Sequence, residues 1–165
     1  MPACLIDTNV WIAAAFPRHP FHDSAQRALS QRTPAEPAVF CRATQQSFLR
    51  LASTPSLLKS YGAEGLTNRD AWNGLDALQA LPQVVVRDES PGVLPLWRTF
   101  AARDTASPKV WMDAYLAAVA VAGGLRMITL DSDFKNFVPH GLNLTLLTQS
   151  TTAQTHDKKT AKPPP

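Results

Sequence analysis

Four aspartates in this chain stand where a carboxylate could do chemistry. Asp7 ends the apolar run Cys4-Leu5-Ile6 and leads directly into Thr8-Asn9-Val10-Trp11. Asp131 follows Met127-Ile128-Thr129-Leu130 in the same manner, with Asp133 two residues on. Asp113 is the only charge between Lys109 and Arg126, inside the apolar run that starts at Val110. An acid between apolar segments is costly to bury alone and wants a cation or several donors. Three of them have a bland reading: Asp113 as a first-turn acid favouring the helix dipole, Asp131 as an Asx turn or helix cap, Asp133 as an exposed turn acid. Together they have a sharper one. Two carboxylates at strand ends and one at a helix start can meet over one edge of a parallel sheet, where they repel or take up protons. A hard divalent cation relieves this, and oxygen-only sites suit Mg²⁺ or Mn²⁺ better than zinc. Such an ion lowers the pKa of bound water and clamps a phosphodiester during in-line attack. The expected chemistry is metal-assisted phosphodiester hydrolysis, with Asp7, Asp113 and Asp131 as both metal ligands and catalytic acids.

The elements that must hold these acids read as alternating strands and helices. Ala3 to Ile6 is a buried strand candidate, and Val10 to Phe16 a helix with Thr8 or Asn9 near its N-cap. That places Asp7 at the carboxyl end of a strand, where open α/β sheets bind ligands. His22 to Gln31 is an amphipathic helix, Ala38 to Cys41 a short strand, and Thr44 to Leu51 a helix ended by Pro55. Thr67 caps a helix with Asp70 in its first turn and Trp72, Leu75, Leu78 and Leu81 on one face. Val84 to Val86 is a strand and Leu94 to Arg103 a helix. Val110 to Gly123 is a helix apolar enough to be buried, stopped by glycine. Arg126 to Leu130 and Leu142 to Leu147 complete the strands. Strands alternating with helices imply a parallel sheet covered on both faces.

The bulk numbers fit one domain. The chain has 165 residues, 45% hydrophobic and 18% charged, enough for a core without staples. The expected division is a single domain over 1–149 and a disordered polar tail over 150–165, ending Lys162-Pro163-Pro164-Pro165. That tail holds +2 of the formal +3, so bulk charge says little about nucleic acid, and only local clustering of basic residues could make a binding surface. Cys4 and Cys41 are isolated in sequence, which suits a reducing cytoplasm and argues against a zinc site. No apolar run is long enough to span a membrane, and the N-terminus lacks the layout of a signal peptide.

At the quoted acids the sequence resembles a PIN-domain ribonuclease, specifically the VapC toxins of bacterial toxin–antitoxin pairs. The matching pieces are Leu5-Ile6-Asp7-Thr8-Asn9-Val10-Trp11, Asp113-Ala114-Tyr115-Leu116-Ala117-Ala118 and Ile128-Thr129-Leu130-Asp131-Ser132-Asp133-Phe134. Cys41 to Arg50 also resembles a family segment, and the likeness runs in order over residues 3 to 148. The resemblance implies a three-layer α/β/α sandwich with a mostly parallel sheet. It implies a Mg²⁺-dependent endoribonuclease neutralised by a VapB-type antitoxin, with homodimers or toxin–antitoxin hetero-oligomers as the expected assemblies. Asp7, Asp113 and Asp131 fall on the family's metal-site aspartates, and Asp133 on a variable further acid. Thr8 and Asn9 fall on polar residues that would orient Asp7 or a water. One departure stands out: where the family usually has a glutamate, this chain has Gln45, or Gln46 or Ser47 under a shifted alignment. Gln offers a neutral oxygen but no charge, so weaker metal affinity is expected. Arg50, Lys109 and Lys135 are the candidates for RNA phosphate. Trp11 and Trp111 could stack on bases, though core or interface roles are the commoner use of such rings.

Other classes fit less well. A haloacid-dehalogenase-type phosphatase would want a second Asp where Asn9 stands. No Gly-x-Gly-x-x-Gly follows the first strand, and there is no Gly-x-Ser-x-Gly. The rival is a non-catalytic PIN-like module that binds RNA or protein, which the missing glutamate favours.

Overall fold

The computed structural model describes residues 2–149; the expected polar tail lies outside them. Five strands form one parallel sheet: β1 (Cys4–Ile6), β2 (Ala38–Phe40), β3 (Val84–Val86), β4 (Arg126–Thr129) and β5 (Asn143–Leu146), in the order β3-β2-β1-β4-β5. All four pairings are parallel, with Ile6 beside Ile128 where β1 meets β4. Two strands lie on each side of β1: β2 and β3 on one, β4 and β5 on the other. The chain therefore reverses its winding between β1 and β4, and this is the crevice where open α/β sheets place ligands.

The two faces carry different helices because side chains alternate along each strand. Cys4, Ile6, Ala38, Phe40, Val84 and Ile128 pack on one face against α1 (Thr8–Ala15), α2 (His22–Ser30), α3 (Arg42–Leu51), α4 (Pro55–Ser60) and α5 (Asn68–Gln79). Leu5, Val39 and Met127 pack on the other against α6 (Val93–Ala101), α7 (Val110–Ala122) and the 3₁₀ segment Ser132–His140. This is the three-layer sandwich, with every strand pairing parallel. Right-handed crossovers require the switch of face when the winding reverses. Trp11 lies fully inside the first layer, stacked on Phe40 with centroids 3.8 Å apart. Alanines 114, 117, 118 and 120 let α7 lie flat on the sheet.

Several boundaries differ from the sequence expectation, each for a local reason. The first helix begins at Thr8, and Asp7, in extended backbone, is its N-cap. The third begins at Arg42, because Thr44 turns back to accept from the Cys41 N–H at 3.0 Å and donate to the Cys41 carbonyl at 2.9 Å. Pro55 does not end that helix; it is the first residue of α4, where a proline costs no hydrogen bond. Thr67 caps α5 reciprocally with Asp70 as expected. Trp72, however, is 53% exposed and turned away from the buried Leu75. The helix expected over Leu94 to Arg103 spans Val93–Ala101. Gly141, at φ +95°, closes the 3₁₀ segment in a left-handed conformation that glycine reaches without strain.

Candidate active site at the β1–β4 crevice

Asp7 and Asp131 sit just past the ends of adjacent strands, so the sheet itself brings residues far apart in sequence to one rim. Asp7 is 7% exposed. Its carboxylate does not cap α1. It accepts instead from the Thr129 hydroxyl at 2.5 Å. Thr129 is fully buried at the end of β4, and its oxygen has no spare capacity. It donates once to Asp7 and accepts from the Asn9 side-chain amide at 3.2 Å and the Asp131 N–H at 3.0 Å, which is all a hydroxyl can do. Asn9 completes the brace by accepting from the Leu130 N–H at 3.2 Å. Asp131 accepts from the Asp133 N–H at 2.8 Å, capping the 3₁₀ segment. The bland expectation for Asp131, an Asx-type cap, is thus present without using the whole carboxylate.

The third acid arrives from α7. Asp113 lies in that helix's first turn, half-buried. Its carboxyl is pushed up to about 6, first by burial and then by Asp131, Asp7 and Asp133. Asp7 is also raised, chiefly by burial, with Asp131 adding to the effect; Thr129, the nearby Thr8 amide and Asn9 pull the other way. Every charged group that moves either acid is another carboxylate. The four aspartates therefore share one electrostatic neighbourhood. Among the described residues no three acid, imidazole or thiol side chains are drawn tightly enough together to make a complete ligand group. The acids form a loose rim over the crevice.

A cavity of about 340 Å³ opens beside Asp113 and Asp133, lined also by Arg103, Ser107, Lys109 and Asn136. Of the three basic candidates, only Lys109 lines this cavity, and Arg103 lies there with it. The other candidates are placed elsewhere. Arg50 is exposed in a groove between α3 and α5, with Leu49, Ser53, Asn68, Ala71 and Trp72. Lys135 is exposed on the 3₁₀ segment and does not line the cavity. Gln45 is 6% exposed; it accepts from the Arg42 guanidinium at 2.8 Å and donates to Gln79 at 2.8 Å. Gln46 and Ser47 are exposed and half-buried respectively. Two contributors escaped the sequence reading. Thr129 looks like any strand threonine, and only its place two residues before Asp131 marks it. Arg103 falls in what reads as a helix end.

The family model for the PIN domain matches residues 4–138, and the chain belongs to the PIN-domain family. Its relatives lie among the VapC ribonucleases. Ribonuclease VapC41 of Mycobacterium tuberculosis is 42% identical over 144 residues, covering 87% of this chain and 97% of that one. Ribonuclease VapC31 of the same species is 29% identical over 134 residues, covering 81% and 92%. Among solved structures, VapBC2 from Rickettsia felis, bound to a DNA fragment from its promoter, superposes with a TM-score of 0.63 at 15% identity, covering 88% of this chain and 99% of that one. Mycobacterium tuberculosis VapC20, a Sarcin-Ricin loop cleaving toxin, gives 0.56 at 18%, covering 81% and 94%. VapBC-1 from nontypeable Haemophilus influenzae gives 0.59 at 16%, covering 87% and 97%.

Proposed function

We propose that this protein is a VapC-type endoribonuclease that hydrolyses RNA phosphodiester bonds with a divalent cation, Mg²⁺ or Mn²⁺, held at the rim formed by Asp7, Asp113 and Asp131. The observation that carries the reading is the gathering of acids past the paired ends of β1 and β4, where the half-buried Asp113 is pushed up to about 6 first by burial and then by Asp131, Asp7 and Asp133. That is an unpaired acidic site, and a hard cation is the partner it fits. The looseness of the rim is compatible with this, since Mg²⁺ keeps several waters and binds through only one or two carboxylates. The ion would supply a bound water of lowered pKa and charge for the phosphodiester oxygens. The chain's own work is to fix Asp7 through Thr129 and Asn9, to set Asp131 at the strand end, and to keep Lys109 on the phosphate side. Asp133 adds negative charge at the margin.

The regulatory partner in this reading is a VapB-type antitoxin. Two of the structural neighbours are VapBC assemblies, and the groove holding Leu49, Arg50 and Trp72 gives an apolar helix a seat. Amide exchange in a complex should slow over residues 44–58 and 68–72, which border this groove; unchanged exchange there removes this seat.

The test of the activity is cleavage of a single-stranded RNA with Mg²⁺ or Mn²⁺, in parallel for wild type, Asp7→Asn and Asp113→Ala. Metal-dependent cleavage by wild type, reduced at least a hundredfold in both variants, is expected. Equal cleavage by all three points to a contaminant. In that event the rival stands: a binding module whose Gln45, tied to Arg42 and Gln79, replaces the acid that catalysis needs.

A further inference from the structure

The start of α7 carries exposed aromatic surface that the acidic rim does not use. Trp111 is 56% exposed and Met112 47% exposed, immediately before Asp113. They line a second cavity of about 350 Å³ with Trp97, Tyr115, Pro108 and Lys109. Pro108 and Lys109 also line the cavity of Asp113 and Asp133. The acid-bearing cavity and the aromatic one therefore share a wall, and that wall carries a cation.

The aromatic side is held in shape. Trp97 donates its indole N–H to the Trp111 carbonyl at 2.9 Å. It packs edge-on against Tyr115, with centroids 5.3 Å apart. The Tyr115 hydroxyl donates to Glu89 at 2.6 Å. These groups are spent on one another, whereas Trp111 keeps its ring in solvent.

We propose that this second cavity is a nucleobase subsite of the same active site: an unpaired base of the RNA stacks on Trp111 while Lys109 holds the adjoining phosphate and the neighbouring phosphodiester lies over the acids. The inference rests on the nuclease reading. Its occupant follows from continuity and charge. A nucleotide offers a flat ring next to an anion, and the wall offers rings next to an ammonium. Stacking on an aromatic side chain is sequence-tolerant and available only to bases not already stacked in a duplex. The subsite therefore selects single-stranded or loop RNA over duplex.

The experiment titrates a short single-stranded RNA into metal-free protein, following tryptophan fluorescence, for wild type, Trp111→Phe and Trp111→Ala. Steady-state cleavage with Mn²⁺ and sedimentation are measured at the same protein concentration. Quenching is expected in wild type and is largely absent in Trp111→Phe, which keeps affinity within threefold. Trp111→Ala should raise Kd and KM about tenfold, with kcat changed less than threefold and sedimentation unchanged. A duplex of the same sequence should bind about tenfold more weakly to wild type and equally to Trp111→Ala. Absence of quenching in wild type, or an unchanged KM in Trp111→Ala, overturns the subsite while metal-dependent cleavage leaves the nuclease reading standing. Weaker binding together with altered sedimentation also overturns it, because the face is then an interface between copies of the chain. Failure of the nuclease reading shows separately, as cleavage that Asp113→Ala does not reduce.

Discussion

Thr129 is the residue on which the acidic rim turns. Its single hydroxyl meets Asp7, Asn9 and the Asp131 amide at once. Thr129→Val keeps the shape and removes all three contacts, leaving a buried carboxylate short of a donor. A loss of about 2 kcal/mol in chemical denaturation is expected, together with at least tenfold weaker Mg²⁺ binding by calorimetry. Retention of both would mean that Asp7 is oriented by something else. Asp113 gives a prediction of opposite sign. Its folded carboxyl titrates at about 6 against an ordinary 3.8, so the folded state binds the proton more tightly than the unfolded chain. In the absence of metal, the charge costs nothing below pH 3.8, costs progressively more as pH rises towards about 6, and costs its full amount above that. Asp113→Asn should therefore stabilise the metal-free protein by about 1 kcal/mol at pH 7, after allowance for solvent screening, and leave it unchanged near pH 3.5. Thermal melts at the two pH values check this. A destabilised variant at pH 7 would show that Asp113 is paired after all.

At the scale of elements, α7 does two jobs with two kinds of residue. Ala114, Ala117, Ala118 and Ala120 allow close approach to the sheet, and Trp111, Met112 and Asp113 face the crevice and its margin. Ala117→Leu forces extra methylenes into a site with no exposed surface, for an expected loss of about 1–3 kcal/mol. Because the helix carries Asp113, cleavage should fall by more than stability explains, even at temperatures where the variant is fully folded. Activity per folded molecule equal to wild type would free the acid's position from the packing beneath it. The elements were the legible part of the sequence. Asp7 and Asp131 could be placed because each directly terminates an apolar run, and a strand end is defined by that change. The pairing of β1 with β4 was not readable, since nothing local in either strand names its neighbour. Thr129 was hidden for a related reason: threonine is at home in any strand. Trp72 misled because helical spacing groups residues without saying how wide the buried stripe is. Gln45 could be aligned with a family position, but only coordinates place Arg42 and Gln79 on its amide.

For the whole molecule, the decisive property is a gathering of acids at one rim, whose charges oppose the fold when no cation neutralises them. Mg²⁺ at a hundred times its Kd should stabilise wild type by about 2.7 kcal/mol, which for a chain of this size is about 5–10 °C in Tm. Asp7→Asn should show less than a quarter of that shift. An equal shift in both proteins would place the bound ion away from the rim.

The neighbouring positions of β1 and β4 have a consequence in time. One acid stands at residue 7 and its partner across the crevice at residue 131. The strand carrying the first acid completes its pairing only when the strand carrying the last has been made and has travelled back to it. A nascent or truncated chain that stops before β4 holds Asp7 and Asp113 but has no Thr129 to orient the one and no Asp131 to face the other. If these acids do the cutting as proposed, the activity is withheld until β4 has been made and has paired with β1.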